Sequence, residues 1–298
     1  DRNGADDARP ATPCGHPGQN AYDRAMIQWV DYEDGHRLAY LDAGDRCDRR
    51  DRDDRGGFPV LVQHGMIASI EDIHLFEPLL AAGRRVISAA RPGYGRSTVH
   101  TMRNLGAWGA ITEALADALG LARFDVLAIS SGAPYGYAIA HRLPDRVRAL
   151  FVLSGTPALY DPGVQALWPY PLSPDATLPE LQDLARGLFF TGLSEEALAR
   201  PDVRDSMAHE AFGIAQDLRL RCRDWGFRLE DVHVPVVMQH SRSDGSVPFA
   251  TAERTAQMLP NCCFQVRRDG AHFSPALLAA FLSHYLAWPA DHSVPGTC

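Results

Sequence analysis

The chain has 298 residues, 46% hydrophobic and 22% charged, enough to bury the core of one large α/β domain or of two ordinary ones. Its formal charge is −8 and every basic side chain is arginine, so no nucleic-acid partner is expected, since phosphate binding needs a basic face. No run approaches the ~18 continuous apolar residues of a membrane span and no charged-then-apolar leader is seen, so no membrane partner and a cytoplasmic location are expected for a chain beginning at Asp1.

Residues 1–22, rich in Asp, Gly, Pro and Arg, read as a disordered lead-in. "IQWVDYEDGHRLAYLDAG" (27–44) predicts two strands around an Asp34-Gly35 turn. "DRCDRRDRDDR" (45–55) balances five Asp against five Arg and reads as a solvated loop. From Pro59 the rhythm becomes strand, loop, helix. "PVLVQHG" predicts a buried strand, and "SIEDIHLFEPLLAAG" a helix with Ser69 and Asp72 as capping box, Ile73, Phe76, Leu79 and Leu80 inward, and Gly83 as stop. A strand in "RVISAARPGYG", a helix over 104–119, the strand "FDVLAIS", a helix over 132–142 and the strand "ALFVLSG" (149–155) follow. Such alternation predicts a parallel sheet with helices on both faces.

The alternation stops at Thr156. Residues 157–230 hold helical patterns, prolines and aromatics without a clear strand, as a cap over an active site would. It resumes with "VPVVMQH" (234–240), a helix over 249–259, the strand "CCFQVRR" and a helix over 274–286. The organisation expected is therefore a core of 23–156 and 231–298 with a helical insertion at 157–230.

The strand "FDVLAIS" ends on a bare hydroxyl. "Ala128-Ile129-Ser130-Ser131-Gly132" fits a nucleophile elbow, in which small neighbours let a tight strand-to-helix turn present one side chain at its apex. Ser130 is that apex. The backbone N–H of Ser131, at the helix start, then faces the place where an oxyanion forms. A serine hydroxyl needs a base, and the base needs an orienting carboxylate. After such an elbow the order is Ser, then Asp or Glu, then His, on loops after later strands. Asp244 in "MQHSRSDGSVPF" and His272 in "RRDGAHFSP" stand at those places, with Asp161 as reserve acid. "Gln63-His64-Gly65-Met66" supplies a second oxyanion donor in the Met66 N–H, with Gly65 letting the backbone turn and His64 buttressing the loop. The six cysteines (Cys14, Cys47, Cys222, Cys262, Cys263, Cys298) form no CxxC pair and no zinc spacing with histidine, so no metal is expected and free thiols are the default, with disulfides optional in so large a chain.

Taken together, 27–286 resembles the α/β-hydrolase fold superfamily. The resemblance is carried by the His-Gly loop (64–65), "RPGYGRS" (91–97), the elbow "ISSGAPYGYAIAHRLPDRV", the loop "SDGSVP" and "GAHF". It implies a mostly parallel eight-stranded sheet with helices on both faces and an inserted helical cap, with those segments as oxyanion loop, structural loop, nucleophile, acid and base. Ala128 stands where the first elbow glycine is usual, and Ser241 where the acid loop often has glycine. The carboxylate nucleophile of the family's epoxide hydrolases and dehalogenases is replaced here by Ser130. The chain also lacks the lysine of its hydroxynitrile lyases and the elbows of its proline iminopeptidases and haloperoxidases.

The expected function is a cofactor-free serine hydrolase of small to medium apolar esters, lactones or thioesters. "ALWPYP" (166–171), "LFF" (188–190), Phe212 and Trp225 are divided between the insertion's own core and the wall of the substrate space, where charged substrates are expected to fit poorly. The alternative is a small-molecule receptor or interaction protein on the same scaffold with little turnover. Oligomerisation is left open.

Overall fold

The computed structural model describes residues 26–44, 57–268 and 270–288. The lead-in and the Asp/Arg loop at 45–55 lie outside them. Strands β1 (Ile27–Tyr32) and β2 (His36–Ala43) form a hairpin pairing Ile27 with Leu41 and Tyr32 with His36. Asp34 and Gly35 turn it with φ of 53° and 79°, the left-handed backbone that an Asp-Gly pair tolerates. The remaining strands are β3 (Val60–Gln63), β4 (Val86–Ala89), β5 (Phe124–Ile129), β6 (Val147–Leu153), β7 (Val236–Ser241) and β8 (Cys262–Arg267). They form one eight-stranded sheet of order β1-β2-β4-β3-β5-β6-β7-β8. The pairs of β2 with β1 and β4 are antiparallel, and all others are parallel.

Residues alternate across the strands, so the sheet fills two cores. Leu61, Val126, Ala128, Leu150, Val152 and Met238 point to one side. Val60, Val62, Leu127, Ile129, Phe151 and Val237 point to the other. The first core is closed by α2 (Gly106–Ala118), α3 (Ala133–Arg142) and α9 (Phe249–Gln257), the second by α1 (Glu77–Ala81) and α10 (Pro275–Leu286). Trp108 of α2 and Phe281 of α10 are fully buried, each worth roughly 1.5–3 kcal/mol or more in apolar burial.

The start of α1 departs from its sequence pattern. A 3-10 turn, Ile73–Phe76, precedes it, and Asp72 makes no side-chain cap. Ser69 instead donates to the Asp205 carboxylate, 136 residues away, while accepting from the Glu71 N–H. Tertiary pairing has outbid the local cap. Ile73, Phe76 and Leu79 are buried as expected, and Gly83 follows the helix with a φ of 75°.

Between β6 and β7 the described residues are helical: α4 (Pro162–Gln165), α5 (Leu178–Phe189), α6 (Glu195–Ala199), α7 (Pro201–Ser206) and α8 (Ala208–Leu220). A full capping box starts α5, with Thr177 and Glu180 each bonding the other's backbone N–H. Two glycines let α8 approach the 91–97 loop. A Cβ on Gly93 (φ 82°) would lie 2.3 Å from the Phe212 ring, and one on Gly213 2.3 Å from the Tyr94 ring. No helix among the described residues is long and apolar enough to cross a membrane.

Cys222 and Cys262 are free thiols, whereas Cys263 is disulfide-bonded, which the spacing of the cysteines had left open.

Candidate active site

Strand β5 is buried along its whole length and ends at Ser130, which takes a φ of 51°. A non-glycine residue holds this left-handed backbone only where its surroundings enforce it. Two glycines do so here. A Cβ on Gly132 would meet the Gln63 carbonyl oxygen at 2.2 Å, and one on Gly136 would meet Ala128 Cβ at 2.9 Å. The turn is thus pressed against the end of β3 and against its own strand, and the alanine at 128 fits where a larger side chain would collide with α3. The Thr156 N–H donates to the Ser130 carbonyl at 2.9 Å and ties the turn to the end of β6.

Three of the expected residues come together. Ser130 Oγ lies 2.8 Å from His272 Nε2, and His272 Nδ1 lies 2.8 Å from Asp244 Oδ2. The other oxygen of Asp244 accepts the Ser246 N–H at 2.8 Å and the Val247 N–H at 2.9 Å. Burial raises the Asp244 pKa, but the hydrogen bond from His272 and those from Val247 and Ser246 outweigh it, so the carboxyl lies below its ordinary value. A carboxylate on Nδ1 fixes the tautomer in which Nε2 faces the serine free to accept its proton. A second imidazole stands beside the same acid. His240 Nε2 donates to the Val247 carbonyl at 2.9 Å and lies 3.4 Å from Asp244 Oδ2; burial lowers its pKa and keeps it neutral.

Asp161 is elsewhere in use. Its side chain caps α4 by accepting the Val164 N–H at 3.0 Å.

The loop after β3 lies against the elbow, with Gly65 close enough that a Cβ there would be 3.8 Å from Ser130 Cβ. That is ordinary contact, so neither space nor a left-handed φ requires glycine. The loop is shaped by a neighbour that sequence patterns did not reveal. Arg91, fully buried, donates to the His64 carbonyl at 2.6 Å and the Gly65 carbonyl at 3.0 Å. Its backbone N–H reaches His64 Nε2 at 3.3 Å, while His64 Nδ1 bonds the Gly65 carbonyl at 2.8 Å. Burial, and then the charge of Arg91, hold the His64 pKa well below its usual value. The Met66 N–H finds no hydrogen-bond acceptor among the described residues.

Arg91 is neutralised by Asp217 of α8, at 2.7 Å. Asp217 also accepts the Tyr94 hydroxyl at 2.8 Å and the Tyr135 hydroxyl at 2.6 Å. One buried network therefore fixes the 64–66 loop, α3 and α8 to one another.

Above Ser130 opens a cavity of about 860 Å³, at the upper end of the usual range for small-molecule sites. Ser130, Ser131, Met66 and His272 line it. The aromatics of the helical segment divide. Trp168, Tyr170 and Phe189 line the cavity, whereas Trp225 is fully buried in the core beside Tyr137 and Tyr160. Leu188 both lines the cavity and is 65% exposed, which marks its mouth. The lining also holds charge, in Asp72, Asp202 and Arg221. Among the described residues no group of three or more His, Cys, Asp or Glu could hold a metal ion.

A mostly parallel sheet with a strained serine turn at the end of its middle strand, followed by acid and histidine loops on later strands, defines the α/β hydrolases. The chain belongs to this family, whose alpha/beta hydrolase fold model matches residues 59–276, and hydrolase is the enzyme class that the match supports. It is 30% identical over 245 residues to the pimeloyl-[acyl-carrier protein] methyl ester esterase of Aromatoleum aromaticum, covering 76% of this chain and 92% of that one. A match to an uncharacterized hydrolase of Bacillus subtilis is 33% identical but spans only 33% of this chain and 34% of that protein's length. Among solved structures, an esterase from Exiguobacterium antarcticum superposes with a TM-score of 0.67 at 19% identity, covering 88% of this chain and all of that one, a likeness of fold.

Proposed function

We propose that this chain is a serine hydrolase of carboxylic esters or closely related acyl compounds, working through an acyl-enzyme. The observation that carries the reading is the unbroken hydrogen-bonded line Ser130–His272–Asp244, with its serine end in the cavity. The resemblance to a methyl ester esterase over most of both chains favours the ester class.

The proposed cycle uses these side chains in turn. Ser130 Oγ attacks the carbonyl carbon as its proton passes to His272 Nε2, and Asp244 stabilises the imidazolium through Nδ1–H. The Ser131 and Met66 N–H groups receive the negative oxygen; losing one such donor typically costs ~100–1,000-fold in turnover. His272 then gives its proton to the leaving alcohol oxygen as the carbon–oxygen bond breaks. Water, deprotonated by the same nitrogen, attacks the acyl-enzyme, and the proton returns to Ser130 as the acid departs. Every proton in this cycle has an owner among these side chains. The helices between β6 and β7 act as the cap that walls off the site.

Fluorophosphonate labelling tests this reading against a receptor on the same scaffold. The folded protein should be phosphonylated at Ser130, and the Ser130→Ala variant should not. Folded protein that binds small molecules but resists the probe would favour the receptor.

A further inference from the structure

The wall of the cavity beside Ser131 carries more hydrogen-bond donors than the described residues can satisfy. Asp217, the nearby acid, is already saturated by Arg91, Tyr94 and Tyr135, and Arg91 supplies its counter-charge. Arg221, just past the end of α8, has no carboxylate within 4.0 Å among the described residues, and its Nε is buried without an acceptor. Its guanidinium carbon sits 5.6 Å from the centroid of the Trp168 ring. Trp168 Nε1 is likewise buried without an acceptor, so two orphan donors share one wall. The Ser131 and Thr156 side chains line the same stretch, and a gap of about 10 Å³, room for one water at most, is bordered by Ser131, Thr156, Asp217 and Arg221.

A half-buried cation without a carboxylate is costly, and burial does press Arg221 toward its neutral form, though arginine stays charged at any working pH. The ring of Trp168 recovers part of that cost through its π face. The rest is recovered by an acceptor that arrives with the ligand. One uncompensated guanidinium fits one carboxylate, whose two oxygens match its fork. A dianion fits less well, because Asp72 and Asp202 lie in the same lining. Neither acid offers Arg221 an ion pair; Asp202 is held by Arg200.

We propose that Arg221 and Trp168 form a carboxylate-binding subsite, so that the substrate is an acyl compound carrying one free carboxylate a short chain away from the reacting carbonyl. This rests on the ester-hydrolase reading. It replaces the expectation, drawn from the aromatic content of 157–230, that charged substrates fit poorly.

The test compares p-nitrophenyl hydrogen glutarate with its carboxyl-methylated counterpart, equal in acyl chain and leaving group. The native protein should favour the free acid in kcat/KM by about ten-fold or more, the size expected of a hydrogen-bonded charge. Arg221→Gln should lower that ratio about ten-fold or more, chiefly through KM, and Trp168→Phe, which keeps the ring and removes the donor, by a few-fold. Arg221→Lys should retain part of the preference, which a purely structural arginine would not. A ratio at or below one in the native protein, or one unmoved in folded Arg221→Gln, overturns the subsite. If neither ester is cleaved and Ser130 resists the fluorophosphonate, the hydrolase reading fails instead. Calorimetric binding of monomethyl glutarate, which carries one carboxylate, to the Ser130→Ala protein then decides the subsite by itself: binding weakened about ten-fold or more by adding Arg221→Gln sustains it, and no binding overturns it.

Discussion

Two buried carboxylates each receive three hydrogen bonds near the site. Asp217 takes them from Arg91, Tyr94 and Tyr135, all fully buried and none with a second partner facing the cavity that could exchange a proton. Asp244 takes them from two backbone N–H groups and from His272, whose ring is 21% exposed and whose other nitrogen meets Ser130. The same satisfaction of an acid serves two ends. Around Asp217 it locks a loop and two helices; around Asp244 it holds one imidazole that keeps a free side. The difference lies in the third donor, a fixed cation in one case and a titratable ring in the other.

The largest effects should come from breaking the second network. Ser130→Ala and His272→Ala should each lower kcat roughly 10,000- to 1,000,000-fold, and the double variant should be little worse than either, because the residues act as a unit. Additive losses would mean that nucleophile or base is misassigned. Asp244→Asn should cost about 10,000-fold, with Asp161→Asn nearly silent in rate since that side chain only caps α4. Thermal unfolding of Ser130→Ala should stay near that of the native protein.

The Asp217 network should respond in the opposite way, in stability. Arg91→Met leaves a buried acid with two tyrosines and without its hydrogen-bonded counter-charge, and should cost about 3–5 kcal/mol in urea unfolding. A loss under about 1 kcal/mol, comparable to a surface pair, would show that the network is not closed in solution.

These two networks also mark what the chain discloses before it folds. The elbow is legible because small residues, Ala128 and Gly132, must stand two places on either side of one serine, and the acid and histidine are legible because their order after it is restricted. Asp217 and Arg91 are 126 residues apart, and although Arg91 opens the "RPGYGRS" loop, nothing local shows which of many look-alike arginines meets that acid. The same uniformity hid Arg221. The capping pattern at Ser69 misled because a partner in α7, Asp205, competes for the hydroxyl. Trp168 and Trp225 look alike in sequence; only the packing of Trp225 on Tyr137 and Tyr160 assigns one to the core and leaves the other on the cavity.

His64, bonded to the Gly65 carbonyl and the Arg91 N–H, gives a pH test. It is kept neutral in the folded protein, whereas in the unfolded chain an imidazole takes a proton below pH ~6.5. The unfolded state therefore binds more protons in that window. The unfolding free energy should fall as pH drops below ~6.5, by about 1.4 kcal/mol per pH unit for this group. His64→Gln should flatten the slope by about one proton; an unchanged slope would mean that His64 charges in the folded state. His240, also lowered, adds in the same direction.

A smaller effect concerns the cavity wall. In a series of neutral p-nitrophenyl esters, kcat/KM should rise by up to about four-fold per methylene while apolar surface is being buried, then fall once the chain meets the wall. Phe189→Ala should move the optimum to longer chains. A profile still climbing beyond the micellar limit of the substrate would contradict a walled site. The smallest effect should be that of a chelator, which should leave the rate unchanged; inhibition restored by zinc would contradict side-chain-only chemistry.

On the mechanism proposed, an acyl group should reside on Ser130 during turnover. Rapid acid quench of the enzyme with a p-nitrophenyl ester, followed by digestion and mass analysis, tests it directly. A p-nitrophenol burst stoichiometric with enzyme and an acyl mass shift on the peptide holding Ser130 are expected, both lost in Ser130→Ala. Turnover through an acyl adduct on another residue, or a burst that survives in Ser130→Ala, would contradict it.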